Sequence, residues 1–177
     1  MVGFRVRKGR SLIHNVEGDI LLSKAAAIAH GIAPADHFTN GLALSLRERF
    51  PAMVKDFRHY CRQSSPEPGE AWPWVGPREG GGSVCIVNLL TQEPSAVEGG
   101  LPGKATVPIV GRALKALARV VASEKLTSVA LPRLATGVGG LVWADVEPLI
   151  GKHLGAAGIP VFVYKTFRPG VAAREAL

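Results

Sequence analysis

The sequence predicts an α/β protein with three layers and a single central sheet. Apolar runs typical of buried strands alternate with segments of helical periodicity through the C-terminal two-thirds of the chain. These strands are apolar on both faces, as strands are when helices cover both sides of a sheet. With 177 residues, 47% of them hydrophobic and 20% charged, the chain can bury one core of ordinary size. We therefore predict one domain over 1–177, with its core at about 11–167 and a tail at 168–177.

The first predicted elements are two strands and a helical segment. Residues 11–19 alternate between a more buried and a less buried face, and 25–32 form a short apolar run, so both are predicted strands. Apolar residues recur every three or four positions over 42–61, which indicates an amphipathic helix. Pro51 has no amide hydrogen, and we expect it to divide or kink that helix.

The middle of the chain alternates irregular segments with regular ones. Pro and Gly are frequent over 64–82, which predicts a loop or a β-excursion, and 83–90 is a strongly apolar strand. Residues 91–106 form a second irregular segment. The clearest helix covers 106–125, where apolar residues form one stripe and Thr106 can cap the first turn.

The C-terminal part continues the same order of strands and helices. Residues 126–132 and 159–167 are apolar runs that we predict as buried strands. Between them, 142–158 is a predicted helix that ends at a glycine, with acidic residues early and basic residues late. We expect the tail at 168–177 to lie on the surface or to fray.

The chain is basic, because 21 Lys and Arg outnumber 14 Asp and Glu and give a net charge of +7. This charge favours an anionic partner such as a nucleotide, a nucleic acid or a phosphorylated surface. The sequence has no dense basic block and no alternation of basic with aromatic residues, which binders of single strands use. The charge therefore also allows the interpretation that this is a basic protein without a nucleic-acid partner.

Cysteine usage and hydropathy bear on where the protein works. Cys61 and Cys85 are too few for a disulfide framework and suit a reducing cytosol, so we expect a cytoplasmic protein. Their spacing is not that of a zinc site, and we expect neither a metal nor a cofactor. No apolar run reaches membrane-spanning length, and the basic first ten residues lack the apolar segment of a secretion signal.

The stretch LPRLATGVGGLVW at 131–143 contains Gly137, Gly139 and Gly140 between a predicted strand and a predicted helix. Ligands of open α/β sheets bind beyond the carboxyl ends of the strands, and amides at a helix N-terminus bind anions. Glycines let an anion approach the main chain, because no Cβ stands in the way. We therefore predict a phosphate or diphosphate site here, with a plain tight turn as the alternative. The spacing matches neither the dinucleotide-binding pattern nor the P-loop.

Two further segments carry polar side chains near the ends of predicted strands. Asp19, at a Gly-Asp corner after the first strand, can accept hydrogen bonds from an exocyclic amine. The segment 30–43 contains Asp36 and His37, which can do acid–base work. A polar loop with helix-capping residues is the alternative for that segment.

An ordered set of short motifs resembles the macrodomain family. GDI lies near the start, AH lies at the end of the next strand, and NGLA leads into a helix that ends in RFP. LPRLATGVGGLVW and IPVFVY follow in the same order, so the resemblance covers roughly 14–167. The chain looks most similar to the branch that contains the macrodomain of the poly(ADP-ribose)-activated chromatin remodeller and the terminal ADP-ribose protein glycohydrolase.

The resemblance implies a mixed sheet between helices, with ADP-ribose in a cleft at the crest of the sheet. Asp19 would hold the adenine amine, with the backbone of Ile20 beside it. Thr166 or Phe167, near the end of the last strand, would lie close to adenine.

The resemblance also implies positions for the rest of the ligand. The loop that would surround the distal ribose includes Asn40, Gly41 and Leu42. The diphosphate would be wrapped by one run of loop residues, namely Thr136, Gly137, Val138, Gly139 and Gly140.

Two positions depart from the glycohydrolase of that branch. Its lysine, which forms a covalent sugar adduct, corresponds to Gln92, and its catalytic aspartate corresponds to Gly139. Glutamine is not a nucleophile and glycine has no side chain, so hydrolysis would use a water positioned by the diphosphate loop. We expect an enzyme that removes ADP-ribose from modified proteins, without a membrane partner. A non-catalytic ADP-ribose reader and a phosphatase acting on ADP-ribose 1″-phosphate are the alternatives.

Overall fold

The computed structural model describes residues 11–177, so the first ten residues, which bear on the expected absence of a secretion signal, lie outside the described residues. Six strands form one sheet: β1 Ile13–Gly18, β2 Ala27–Ile32, β3 Ala71–Pro77, β4 Ser83–Leu90, β5 Val129–Pro132 and β6 Val161–Phe167. Their order across the sheet is β1-β6-β5-β2-β4-β3. The four pairs β1–β6, β6–β5, β5–β2 and β2–β4 are parallel. The pair β4–β3 is antiparallel, so the sheet is mixed.

Helices cover both faces of this sheet. They are α1 Gly41–Arg49, α2 Pro51–Ser64, α3 Val107–Ser123 and α4 Trp143–Leu154. Along β2, Ala29 packs in a core with α3 and α4, whereas its neighbour Ile28 packs in a second core with α1 and α2. Successive side chains of a strand point to opposite faces, so the two helix pairs form the outer layers. This arrangement confirms the predicted three-layer α/β fold.

Local sequence signals account for most helix boundaries. Thr106 Oγ1 accepts a hydrogen bond from the Ile109 amide at 3.3 Å, which caps the first turn of α3 as predicted. Pro51 begins α2 directly after Phe50, so the segment 42–61 contains two helices rather than one kinked helix. Within residues 11–177, no helix is both long and apolar enough to cross a membrane.

Some elements differ in extent from the sequence prediction. The sequence predicts the last helix over 142–158, but this helix ends at Leu154. Two of the next four residues are glycines, which disfavour helix. The segment 126–132 begins pairing only at Val129, because the Leu126 amide still donates to Val121 O at 3.0 Å. For 64–82, the β-excursion is the alternative that holds, since this segment contains β3.

The C-terminal tail lies on the surface and is hydrogen-bonded to the domain. Glu175 accepts hydrogen bonds from Ser23 Oγ at 2.9 Å, the Lys24 amide at 3.0 Å and Tyr164 Oη at 2.9 Å. The Asp19 amide donates to Val171 O at 2.7 Å. The tail therefore packs beside the ends of β1 and β6, and the surface-bound alternative holds over fraying.

Candidate functional site

A groove lies at the carboxyl ends of the parallel strands, where open α/β sheets bind ligands. It consists of two cavities of about 300 Å³ and about 380 Å³. Both cavities are lined by Gly41, Leu42 and Pro132, so they lie side by side, and we describe them together as one groove. We call the smaller one the loop cavity, because Gly137 lines it, and the larger one the Asp19 cavity.

Most of the predicted site residues line this groove. In the Asp19 cavity they are Asp19, Ile20, Gly41, Leu42 and Phe167. In the loop cavity they are Asp36, Asn40, Gly41, Leu42, Gly137, Val138 and Gly139. Four predicted residues, His37, Thr136, Gly140 and Thr166, do not line either cavity.

The loop after β5 offers unoccupied amides to the groove. Two internal hydrogen bonds close the loop, from the Gly140 amide to Gly137 O at 3.0 Å and from the Leu141 amide to Ala135 O at 2.9 Å. Within residues 11–177, the amides of 135–139 donate to no protein group. Successive unpaired amides in a turn can form a nest for an anion, so this loop has donors free for the phosphate site that the sequence predicts.

The three glycines of the loop have different structural reasons. A Cβ on Gly139 would lie 2.7 Å from Ala135 O, so the loop closes on itself only with glycine there. Gly140 has a φ of +75°, in the left-handed region that glycine adopts without strain. A Cβ on Gly137 would meet nothing within 4 Å, and Gly137 lines the loop cavity. Of the three, Gly137 alone leaves open space for a ligand.

The Asp19 cavity is bounded by a fixed carboxylate and an exposed aromatic ring. Asp19 Oδ1 accepts from the Leu21 amide at 3.1 Å, and Oδ2 accepts from the Gly170 amide at 3.0 Å. Each carboxylate oxygen keeps a further lone pair for a ligand donor. Phe167 is 68% exposed at the end of β6 and can stack on a flat ring.

Two uncharged side chains lie at the base of the loop cavity. His30 is 2% exposed, and its Nε2–H donates to Asn88 Oδ1 at 2.7 Å. Burial lowers the pKa of His30 to about 4, so the imidazole is neutral at neutral pH. Gln92 is also buried in the lining of this cavity, and its Nε2 donates to Gly103 O at 3.2 Å. Neither side chain carries a charge toward the ligand.

Sequence reasoning missed His30 as a site residue. The signal was present, because a histidine at the end of an apolar strand needs a polar partner once it is buried. Its partner Asn88 is 58 residues away and becomes adjacent only through the pairing of β2 with β4.

The two predicted acid–base residues are in different situations. Asp36 lines the loop cavity, and its carboxylate accepts from the Ala33 amide at 3.2 Å and the Phe38 amide at 2.7 Å. This carboxylate therefore holds its own loop in shape as well as facing the groove. His37 is half-buried beside the groove, and its carbonyl accepts from the Arg47 guanidinium at 3.3 Å.

The fold of this chain matches that of solved protein structures. No family model matches the chain. The macrodomain of Mycobacterium tuberculosis DarG superposes with a TM-score of 0.69 at 23% identity, covering 86% of this chain and 96% of that one. A macrodomain protein from Streptomyces coelicolor gives a TM-score of 0.63 at 27% identity, covering 86% and 98%. The chain has the macrodomain fold, which confirms the resemblance seen in the sequence.

More particular relatives share both fold and sequence with the chain. Thermosipho africanus DarTG in complex with ADP-ribose gives a TM-score of 0.75 at 20% identity, covering 90% of this chain and 42% of that one. The "DNA ADP-ribosyl glycohydrolase" of Mycobacterium tuberculosis is 28% identical over 130 residues, which are 73% of this chain and 35% of the relative. The chain thus spans well under half the length of the curated relatives it matches.

Proposed function

We propose that this chain binds ADP-ribose in the groove and hydrolyses the bond between ADP-ribose and its acceptor. One observation carries the proposal: a single groove has a carboxylate and an exposed aromatic ring at one end and a nest of unoccupied amides at the other. Adenine needs the first of these environments and a diphosphate needs the second.

The groove offers one subsite for each part of the ligand. Asp19 accepts from the exocyclic amine of adenine, and Phe167 stacks on the base. The unoccupied amides of 136–139 bind the diphosphate. The distal ribose then lies in the loop cavity beside Asn40 and Asp36, both of which line it.

Hydrolysis in this site uses water as the nucleophile. The water oxygen bonds to C1″ of the distal ribose, the bond from C1″ to the acceptor breaks, and the acceptor takes up a proton. Gln92 has an amide in the cavity lining and cannot form a covalent sugar adduct. The proton of the water passes to Asp36, His37 or a phosphate oxygen of the ligand. Positioning of water against C1″ supplies the main rate effect.

The acceptor is a modified protein or a nucleic acid. The curated relatives carry the name DNA ADP-ribosyl glycohydrolase, which favours DNA among the acceptors. The net charge of +7 is in keeping with an anionic acceptor.

A reader without activity is the second candidate. It is favoured by the neutral side chains at the base of the loop cavity, where Gln92 and His30 offer no charged group. A reader needs the same groove and no base.

One experiment separates the two candidates. The purified protein is incubated with a mono-ADP-ribosylated protein and with an ADP-ribosylated oligonucleotide, and released ADP-ribose is counted. Asp36→Asn and His37→Ala are assayed alongside, with His59→Ala as a matched control on the exposed side of α2. General acid–base catalysis contributes about 10²–10⁴-fold, so loss of the true base should lower the rate by at least about 100-fold.

Each outcome has a distinct meaning. Release that is lowered in one variant and unchanged in His59→Ala supports the hydrolase and identifies its base. Binding of ADP-ribose in calorimetry without release from either substrate supports the reader. No binding of ADP-ribose overturns both candidates.

A further inference from the structure

Arg133 is a cation in the lining of the loop cavity, directly between β5 and residues 134–142, which we call the glycine loop. It is exposed. Within residues 11–177, the ion pairs are Arg49 with Glu79 and Arg168 with Glu17, so the Arg133 guanidinium has no carboxylate partner there. It donates no hydrogen bond to another described residue.

Contacts at both ends of the glycine loop hold Arg133 in place. Its guanidinium carbon lies 5.8 Å from the ring centroid of Trp143, the first residue of α4. Its carbonyl accepts from Thr136 Oγ1 at 3.0 Å. A guanidinium on the face of an indole keeps its N–H donors at the edge of the stack, where they are available to an anion.

We propose that Arg133 binds a phosphate group of the ligand and that Trp143 is the positioning residue for its guanidinium. The planar fork of arginine matches a phosphate with two parallel hydrogen bonds. This phosphate is either the diphosphate of ADP-ribose or a backbone phosphate of a nucleic-acid acceptor. The inference rests on the proposed function, because it assigns a side chain to the same groove.

Variants of Arg133 test the proposal against a matched control. Arg133→Gln removes the charge, and Arg133→Lys keeps the charge without the planar fork. Arg119→Gln makes the same charge change at an exposed position on α3, which lies outside the groove lining. Calorimetry measures the affinity for ADP-ribose, and fluorescence anisotropy measures the affinity for an unmodified single-stranded oligonucleotide at several salt concentrations. Thermal unfolding checks that each variant folds.

The two phosphate sources give different results. If Arg133 binds the diphosphate, Arg133→Gln lowers the affinity for ADP-ribose by about tenfold or more, because a hydrogen bond to a charged group is lost. If it binds an acceptor phosphate, Arg133→Gln leaves the affinity for ADP-ribose unchanged and lowers the affinity for the oligonucleotide. The slope of the logarithm of that affinity against the logarithm of the salt concentration then becomes shallower by about 0.7. In either case Arg133→Lys retains part of the affinity and Arg119→Gln retains the wild-type affinity for ADP-ribose.

Trp143→Leu tests the positioning role. If Trp143 acts through Arg133, the double variant with Arg133→Gln binds no more weakly than Arg133→Gln alone. Additive losses contradict this role. Wild-type affinity of Arg133→Gln for both ligands overturns the inference. In that case, binding of ADP-ribose by the wild type still supports the proposed function. A wild type that does not bind ADP-ribose overturns both the inference about Arg133 and the proposed function.

Discussion

The buried pair of His30 and Asn88 makes a specific prediction about stability and pH. His30 is neutral in the folded state because burial disfavours its charged form, and this lowers its pKa from 6.5 to about 4. As the pH falls below 6.5, the unfolded chain takes up a proton at this position before the folded chain does. The free energy of unfolding therefore decreases as the pH is lowered from 6.5 to about 4. Above pH 6.5 the contribution of the neutral His30 to stability is complete.

The size of the effect follows from the two pKa values. One pH unit corresponds to about 1.4 kcal/mol for a single proton, so His30 accounts for a loss of about 3 kcal/mol across this window. A whole domain is stable by about 5–15 kcal/mol, so one buried imidazole can decide whether the protein stays folded in mild acid.

The assay is urea denaturation at neutral pH and at about pH 4, comparing the wild type with a double variant, His30→Phe with Asn88→Leu. Both partners are changed because a lone His30→Phe would leave the buried Asn88 Oδ1 without a donor, at a cost of about 1–3 kcal/mol. We expect the double variant to lose about 3 kcal/mol less than the wild type between the two pH values. His59→Gln, on the exposed surface of α2, should behave as the wild type. An equal loss of stability in the wild type and the double variant would show that His30 is not the source of the pH dependence.

Three other changes probe the groove. Asp19→Ala should weaken the binding of ADP-ribose by about 1.5–3 kcal/mol and leave the binding of ribose-phosphate unchanged in calorimetry, because in the proposed binding mode adenine is the part of the ligand that contacts this carboxylate. Gly137→Ala should keep the thermal midpoint, whereas Gly139→Ala should lower it, because a Cβ at Gly139 would lie 2.7 Å from Ala135 O; equal midpoints would contradict the packing argument. Glu175→Ala should lower both the thermal midpoint and the affinity for AMP, since the tail beside the Asp19 cavity loses three hydrogen bonds; an unchanged AMP affinity would separate the tail from the base subsite.

Local patterns in the sequence predict most of the fold. Apolar runs and helical periodicity are properties of neighbouring residues, so β4 and α3 are readable without any knowledge of the rest of the chain. Pro51 and Thr106 act within one helical turn, and both behave as predicted. β3 was harder to predict because its Pro and Gly content resembles a loop, and it is a strand at the edge of the sheet.

The candidate site was predictable where one segment forms it. The glycine loop after β5 and the corner at Asp19 each follow a strand end, and parallel strands bring such ends to the same edge of the sheet. The sequence does not distinguish the three glycines from one another. In the structure the backbone conformation requires Gly139 and Gly140, and Gly137 alone faces open space.

Short stretches of the sequence specify the order of strands and helices, the three-layer class and the segments that reach the groove, because those depend on interactions between neighbouring residues. The contacts between distant residues become visible in the folded chain: His30 with Asn88 across β2 and β4, Arg133 with Trp143 across the loop, and Glu175 with Ser23 across the domain. Such contacts depend on strand register and on the closure of long loops, and no local pattern in the chain encodes a separation of 58 or 152 residues.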